Sequence, residues 1–401
     1  MLEFAQRMSM LGTDSAFEVL ARAKDLEAQG RSIIHLGIGQ PDFPPPPHVI
    51  EAADKAMRDG HNGYTPTSGI PALREAVAAD LWRRHKVKVG PDLVQILPGG
   101  KVVIFFATLM FGEPGAEILC PDPGFFTYDS AVAFSGATPV FYPLTEANQF
   151  SFDADDVLSR ITPRTRLLIL NSPANPTGGV VPRAQMDRLA AGLEKYPNVA
   201  VLSDEIYSRI LYDGNEHVCM LGYEHLRDRV ILLDGWSKTY AMTGWRLGYG
   251  VWPDAMIAKA EGLAINAHSC VNAPAQYGGI AALEGPQDSV TAMVAEFDRR
   301  RRAIVAGINA IPGMRCLAPG GAFYAFPNIT GTGFTSTGLE AALLNEAGVA
   351  AVAGSSFGKL GEGFLRLSYA NTMANIEEAL ARIGAFMSDR KEKLAGSRAS
   401  A

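Results

Sequence analysis

Short apolar, β-rich runs recur through the middle of this chain, at Glu117–Cys120, Thr138–Tyr142, Leu167–Leu170, Val199–Leu202, Val230–Leu233 and Leu247–Val251. Amphipathic stretches with helical spacing lie between several of them, including Pro71–Arg84 and Ala184–Tyr196. That alternation predicts an α/β architecture: a largely parallel sheet with helices on both faces. In such sheets ligands bind beyond the carboxyl ends of the strands. The polar residues that follow each apolar run are therefore the first places to look for chemistry.

The chain is long enough, at 401 residues, for two domains and possibly a third. With 47% hydrophobic and 19% charged residues it can bury a large core, which excludes a mainly disordered protein. Thirty-six basic against 42 acidic residues leave a net charge of −6, the wrong sign for a phosphate-backbone binder. There is no run of 18 apolar residues to span a membrane, and Met1–Gly12 lacks the apolar block of a secretory signal. The cysteines, Cys120, Cys219, Cys270 and Cys316, are scattered and read as reduced, mostly buried thiols of a cytoplasmic protein. Neither they nor the histidines are spaced for a structural zinc or for metal chemistry led by histidine.

Outside the sheet region, a first helix is predicted from about Ser15 to Gln29, stopping near Gly30. Gly39–Pro47 (GQPDFPPPP) reads as an irregular crossing segment, because consecutive prolines remove donors and fix φ. From about Ile304 the pattern turns mixed, with strands near Phe323–Phe326 and Phe364–Tyr369 and a closing helix over Met373–Met387. The expected division is 1–45 and 291–390 in a smaller α+β domain, 46–290 in a large one, and a disordered tail over 391–401.

Several strand ends carry residues suited to chemistry. Lys238 follows Val230–Leu233 between Trp236 and Tyr240, poor company for a solvated lysine. At an ordinary pKa near 10.4 only about one amine in 2500 is neutral at pH 7, so a nucleophilic lysine must be tuned by burial or by neighbouring cations. Arg246 sits in an apolar, glycine-rich stretch and calls for an anionic partner, a carboxylate or a phosphate. Val199–Leu202 runs into Asp204 and Tyr207, which a helical turn would bring to one face. Asn171-Ser-Pro-Ala-Asn175-Pro176 makes a rigid turn that admits a cis bond before Pro176. Gly99-Gly100-Lys101 stands where a strand meets a helix, a place where backbone N–H groups reach an anion. Phe125 and Tyr128 offer an aromatic plate and a hydroxyl near the same edge. One ligand would use all of them: a phosphate, a protonated aromatic nitrogen, a phenolic oxygen and an aldehyde, the features of pyridoxal phosphate.

The stretch Ser237–Tyr249 (SKTYAMTGWRLGY) resembles the lysine signature of class I aminotransferases, fold type I pyridoxal-phosphate enzymes. Segments NSPANPTG, SDEIY, GYTPTSG and FLRLS match the same family in the same order, and the likeness runs from about Ser15 to Met387. It implies a large domain with a mainly parallel seven-stranded sheet, a smaller α+β domain and a homodimer with shared active sites. It also implies an enzyme that moves an amino group from an L-amino acid, aspartate-like or of broad specificity, to a 2-oxo acid such as 2-oxoglutarate in a ping-pong cycle. By this resemblance Lys238 would bond to the cofactor aldehyde and later carry a proton. Asp204 would hold the ring nitrogen protonated, and Asn175 and Tyr207 would bond the ring's phenolic oxygen. Phe125 would stack on the ring. Ser237, Arg246 and the Gly100–Lys101 backbone would hold the phosphate, with Tyr64 reaching it from a partner subunit. Arg366 would clamp the substrate carboxylate, helped by Asn175 and the backbone around Gly39, whose segment would close over the substrate. Two departures stand out: Gly235 where many relatives carry a hydroxyl, and Phe125 where many have tryptophan. A lyase of the same fold, or specificity for aromatic or small aliphatic amino acids, remains open. A cofactor-binding regulator is disfavoured, because the likeness begins too early for a DNA-binding domain in front. Lys101 and His268 are candidates for polar substrate contacts.

Overall fold

The computed structural model describes residues 2–12 and 15–399, with residues 391–399 as backbone. In chain order the strands are β1 (Ile34–His35), β2 (Val94–Leu97), β3 (Glu117–Asp122), β4 (Thr138–Pro143), β5 (Thr165–Asn171), β6 (Ala200–Asp204), β7 (Val230–Gly235), β8 (Gly248–Val251), β9 (Tyr324–Ala325), β10 (Val349–Ala350), β11 (Val352–Ala353) and β12 (Leu365–Ser368). Strands β2 to β8 form one seven-stranded sheet in the order β2-β8-β7-β6-β5-β3-β4. All its pairings are parallel except those of β8, which runs antiparallel to β2 and β7.

The strands are almost continuously apolar because both faces are covered. Successive side chains point to opposite faces. On β5, Leu168 and Leu170 therefore join one core while Leu167 and Ile169 join the other. The same split separates Val230 and Leu232 from Ile231 and Leu233 on β7. Helices Pro71–His85 and Arg183–Leu193 contribute to the first layer, and helices Gly100–Phe111 and Thr127–Ser135 to the second.

A third core lies around the three-stranded antiparallel sheet β11-β12-β9, backed by helices Asp288–Asn309 and Met373–Ala399. The N-terminal strand β1 pairs with β10, Ile34 opposite Val349, so both ends of the chain meet in this part of the molecule.

The observed boundaries differ from the sequence reading at informative places. Pro47 is not part of an irregular run but the first residue of helix Pro47–Arg58, since a proline at N1 gives up no hydrogen bond that a helix would make. The closing helix continues to Ala399, into the stretch expected to be a disordered tail; Ser400 and Ala401 lie outside the described residues. Asp204 and Tyr207 are joined by a turn rather than by a helix. The four cysteines are unpaired, and Cys120, Cys219 and Cys316 are buried.

Candidate active site

Parallel strands deliver their carboxyl ends to one edge. Strands β3, β5, β6 and β7 end at Asp122, Asn171, Asp204 and Gly235, so Phe125, Asn175, Tyr207 and Lys238 follow within a few residues at that same edge. Sheet topology thus gathers groups that are more than a hundred residues apart in the chain.

Asp204 is buried at the end of β6. Its carboxylate accepts from the Tyr128 hydroxyl at 2.7 Å and from the Ile206 N–H at 3.2 Å. Burial raises its pKa to about 6, against the opposing pull of those two donors. The Asn171 side chain donates to the Asp204 carbonyl at 3.0 Å and accepts from the Asn175 N–H at 2.9 Å, tying the β5 turn to the β6 turn. The bond before Pro176 is cis, as are those before Pro123 and Pro173.

The Lys238 amine donates to the Gly39 carbonyl at 2.6 Å. It lies 5.9 Å from the centre of the Tyr207 ring and 5.8 Å from that of Phe323. Burial first, then the charges of Arg366, Lys101 and Arg246, push its pKa down to about 7, while Asp204 pulls it up. A large share of the amine is therefore neutral near pH 7.

Gly99, at φ 96°, caps helix Gly100–Phe111, and Arg246 lies against it. The Arg246 guanidinium donates to the carbonyls of Thr243 (2.9 Å) and Pro98 (3.3 Å). The expected anionic partner of Arg246 is absent among the described residues, so its positive charge stands over a helix N-terminus with no carboxylate to offset it. Gly248 explains how closely these loops approach: a Cβ there would lie 2.6 Å from the Gly100 nitrogen, and one on Gly235 would lie 2.8 Å from the Gly248 Cα. Position 235 has no room for a side chain. Ser237 is buried just before Lys238, and Lys101 lies 5.1 Å from the Phe125 ring centre and 4.7 Å from that of Phe126.

Arg366 comes from the other side, on β12, and is 4% exposed. Its guanidinium donates to Asn175 Oδ1 at 2.9 Å and to the Gly37 carbonyl at 2.5 Å. It lies 4.7 Å from the ring centres of both Tyr324 and Phe357. Its Nε is buried with no partner among the described residues, an orphan donor of the kind a ligand carboxylate satisfies.

The structure thus brings Gly39, Gly100, Lys101, Phe125, Asn175, Asp204, Tyr207, Ser237, Lys238, Arg246 and Arg366 to one edge of the sheet. Tyr64 stands apart, 93% exposed. His268 is placed beside Phe106, rings stacked at 6.2 Å, with both ring nitrogens buried. Sequence reasoning missed Tyr324, whose hydroxyl pairs with that of Tyr207 at 2.8 Å, and Phe357. Tyr324 sits in an apolar run that reads as ordinary core, and Phe357 in a serine- and glycine-rich stretch that carries no chemical signal. Tyr128 was noted only as a hydroxyl at this edge; its bond to Asp204 gives it a function.

These residues fit pyridoxal phosphate. An excess of cations converges on one space, with a buried carboxylate opposite, a desolvated amine, an orphaned arginine donor and a glycine-lined helix N-terminus.

Comparison with known proteins agrees. The family model for aminotransferase class I and II matches residues 31–383. An aspartate aminotransferase of Bacillus sp. (strain YM-2) is 35% identical over 390 residues, covering 96% of this chain and 98% of its own. The crystal structure of the aspartate aminotransferase from Rhizobium meliloti superposes with a TM-score of 0.93 at 35% identity, covering 97% of this chain and 99% of its own. An aromatic aminotransferase from Pyrococcus horikoshii OT3 superposes with a TM-score of 0.87, also at 35% identity, over 93% of this chain and 99% of its own. The chain belongs to the class I and II aminotransferases, and is a fold type I transaminase that depends on pyridoxal phosphate.

Proposed function

We propose that this aminotransferase takes its amino group from an acidic L-amino acid, aspartate in the first instance, and passes it to a 2-oxo acid such as 2-oxoglutarate. The observation that carries the reading is the desolvated Lys238 amine, ringed by Arg366, Arg246 and Lys101 and faced by Asp204. The acidic donor is supported by relatives named aspartate aminotransferases.

When bound, pyridoxal phosphate supplies an aldehyde that exchanges amines and a protonated ring that accepts the electrons left as the Cα proton departs. Lys238 would hold it through Nζ, and once released would take the proton from the substrate Cα at that same atom. Its pKa of about 7 suits that task, because the amine can both accept and give up a proton near neutrality. Asp204 would keep a proton on the ring nitrogen, fixed in place by Tyr128 and the Ile206 N–H. Asn175 and Tyr207 would bond the phenolic oxygen. Burial holds the Tyr207 hydroxyl well above its ordinary pKa, so it serves as a neutral donor. Phe125 would cover the ring, and Ser237, Arg246 and the N–H groups at Gly100 and Lys101 would hold the phosphate. Arg366 would grip the substrate α-carboxylate, exchanging the Gly37 carbonyl for it, with Asn175 and the Gly39 backbone alongside.

We assign the active form to a homodimer in which Tyr64 of each subunit reaches the other's phosphate; its near-complete exposure in the single chain supports this. The domain limits follow the same reading: 1–45 and 291–390 as the smaller unit and 46–290 as the larger. The β1–β10 pairing supports them. Unpaired thiols support a cytoplasmic location, and among the described residues no helix is long and apolar enough to cross a membrane.

The test is a half-reaction: loaded enzyme mixed with one amino acid and no oxo acid, followed at the cofactor's absorbance. Aspartate should convert the enzyme once and stop, faster than phenylalanine or alanine. Continuous product release would place the chain among lyases, and no conversion with any amino acid would defeat the reading.

A further inference from the structure

From Gly37 to Pro45 no backbone–backbone hydrogen bond secures the chain, among the described residues. Leu36 is still tied to Ala350 and Ser368, and the chain is next secured at Pro46, which accepts from Val49. In between, three cationic side chains hold the segment. Arg366 takes the Gly37 carbonyl, Lys238 takes the Gly39 carbonyl, and Arg300 pairs with Asp42 at 2.7 Å. The first two belong to the active site, and each has another partner to take when the site fills. The third lies outside it.

Arg300 is built to hold one position. It is 6% exposed on helix Asp288–Asn309 and also pairs with Glu296 at 2.8 Å. Its guanidinium lies 5.0 Å from the Phe43 ring centre and 5.8 Å from that of Phe297, and those two rings meet edge to face at 5.4 Å. The segment stiffens toward Asp42: Gly37 and Gly39 leave φ free, whereas Pro41 before Asp42 and Pro44 to Pro47 after it fix φ. The proline stretch borders a groove of about 270 Å3 lined by Tyr240, Ser289 and Met293, so packing alone does not fix the segment on that side. Gly39 itself must stay close: a Cβ there would lie 2.0 Å from the Tyr324 hydroxyl.

We propose that the Asp42–Arg300 ion pair is a positioning device for Lys238: it pins the Gly37–Asp42 segment so that the Gly39 carbonyl stands against the free lysine amine. Asp42 and Arg300 touch neither substrate nor cofactor in this assignment; they act through the Gly39 carbonyl. A carbonyl held there stabilises the protonated amine and orients it. The other charges facing that amine are Arg366, Lys101 and Arg246, which disfavour its protonation, and Asp204, which favours it. The inference rests on Lys238 being the cofactor lysine.

The test starts from cofactor-free, full-length protein. The rate at which added pyridoxal phosphate becomes bound is measured against pH in the parent, Asp42→Asn and Arg300→Lys, with the unfolding temperature recorded for each. The neutral amine is the form that reacts, so the parent rate should rise through a midpoint near 7. With the carbonyl no longer pinned, the protonated amine is less favoured, and the Asp42→Asn midpoint should fall by about 0.5 pH unit. Arg300→Lys keeps the charge but loses the fork that holds Asp42 and Glu296 at once, so its midpoint should fall in the same direction, by no more than that of Asp42→Asn. An Asp42→Asn midpoint equal to the parent's overturns the proposal, even if the unfolding temperature drops, because that would be a purely structural role. A midpoint that rises in Asp42→Asn also overturns it. Borohydride trapping on the parent separates the two readings. Label absent from Lys238 means the functional assignment has failed, whereas label on Lys238 with unmoved midpoints means that only this proposal has.

Discussion

The phosphate end and the carboxylate end of the site are built in opposite ways. At the phosphate end, β2, β7 and β8 converge through Gly100, Gly235 and Gly248, and backbone lies against backbone with no space for a side chain. At the carboxylate end, Arg366 is held by Asn175 and by the Gly37 carbonyl, residues far from it in sequence and on separate elements. The first end is stiff because its atoms cannot move closer without a clash, nor apart without breaking the pairings of β8 with β2 and β7. The second is held by hydrogen bonds that a ligand can replace. A cofactor that stays and a substrate that comes and goes need just this division.

The contrast is open to attack at each end. Arg366→Ala should have the largest effect. It removes a buried, charge-assisted clamp and should lower kcat/KM about a thousandfold, roughly 4 kcal/mol, with cofactor affinity unchanged. A comparable loss of cofactor affinity would mean that the two ends are not separate. Gly248→Ala should act the other way. Its Cβ would meet backbone at 2.6 to 2.8 Å, and the cost of about 1–3 kcal/mol should appear as a lower melting temperature and weaker cofactor binding, with the KM for amino acid little changed. Tyr324→Phe should be the mildest. It removes the hydroxyl that pairs with Tyr207 and approaches Gly39, and should change kcat by less than about tenfold, roughly 1 kcal/mol. A loss as large as that of Arg366→Ala would make Tyr324 a catalytic group.

The same contrast explains what could be read from the sequence. The phosphate end was legible because its parts are contiguous: Gly99-Gly100-Lys101 at one junction, and Ser237, Lys238 and Arg246 in one short stretch. The sheet was legible because apolar runs buried on both faces leave an unbroken signal. Arg366 emerged only through likeness to a family, since nothing in its neighbourhood announces a partner at position 175 or 37. Tyr324 was invisible because a tyrosine in an apolar run packs equally well in a core, and Phe357 because a lone phenylalanine between serine and glycine reads as part of a loop. The turn from Asp204 to Tyr207 was misread as helical because spacing alone does not tell a turn from a helix. The Asp42–Arg300 pair was out of reach for a different reason: its two members are 258 residues apart and join elements whose proximity only the fold decides.

The central claim is that the amine of Lys238 holds the cofactor. Borohydride reduction of the loaded protein, followed by digestion and mass mapping, tests it directly. The account predicts one modified peptide, carrying a phosphopyridoxyl group on Lys238. The same group on any other lysine, or a protein that takes up no cofactor, would contradict it.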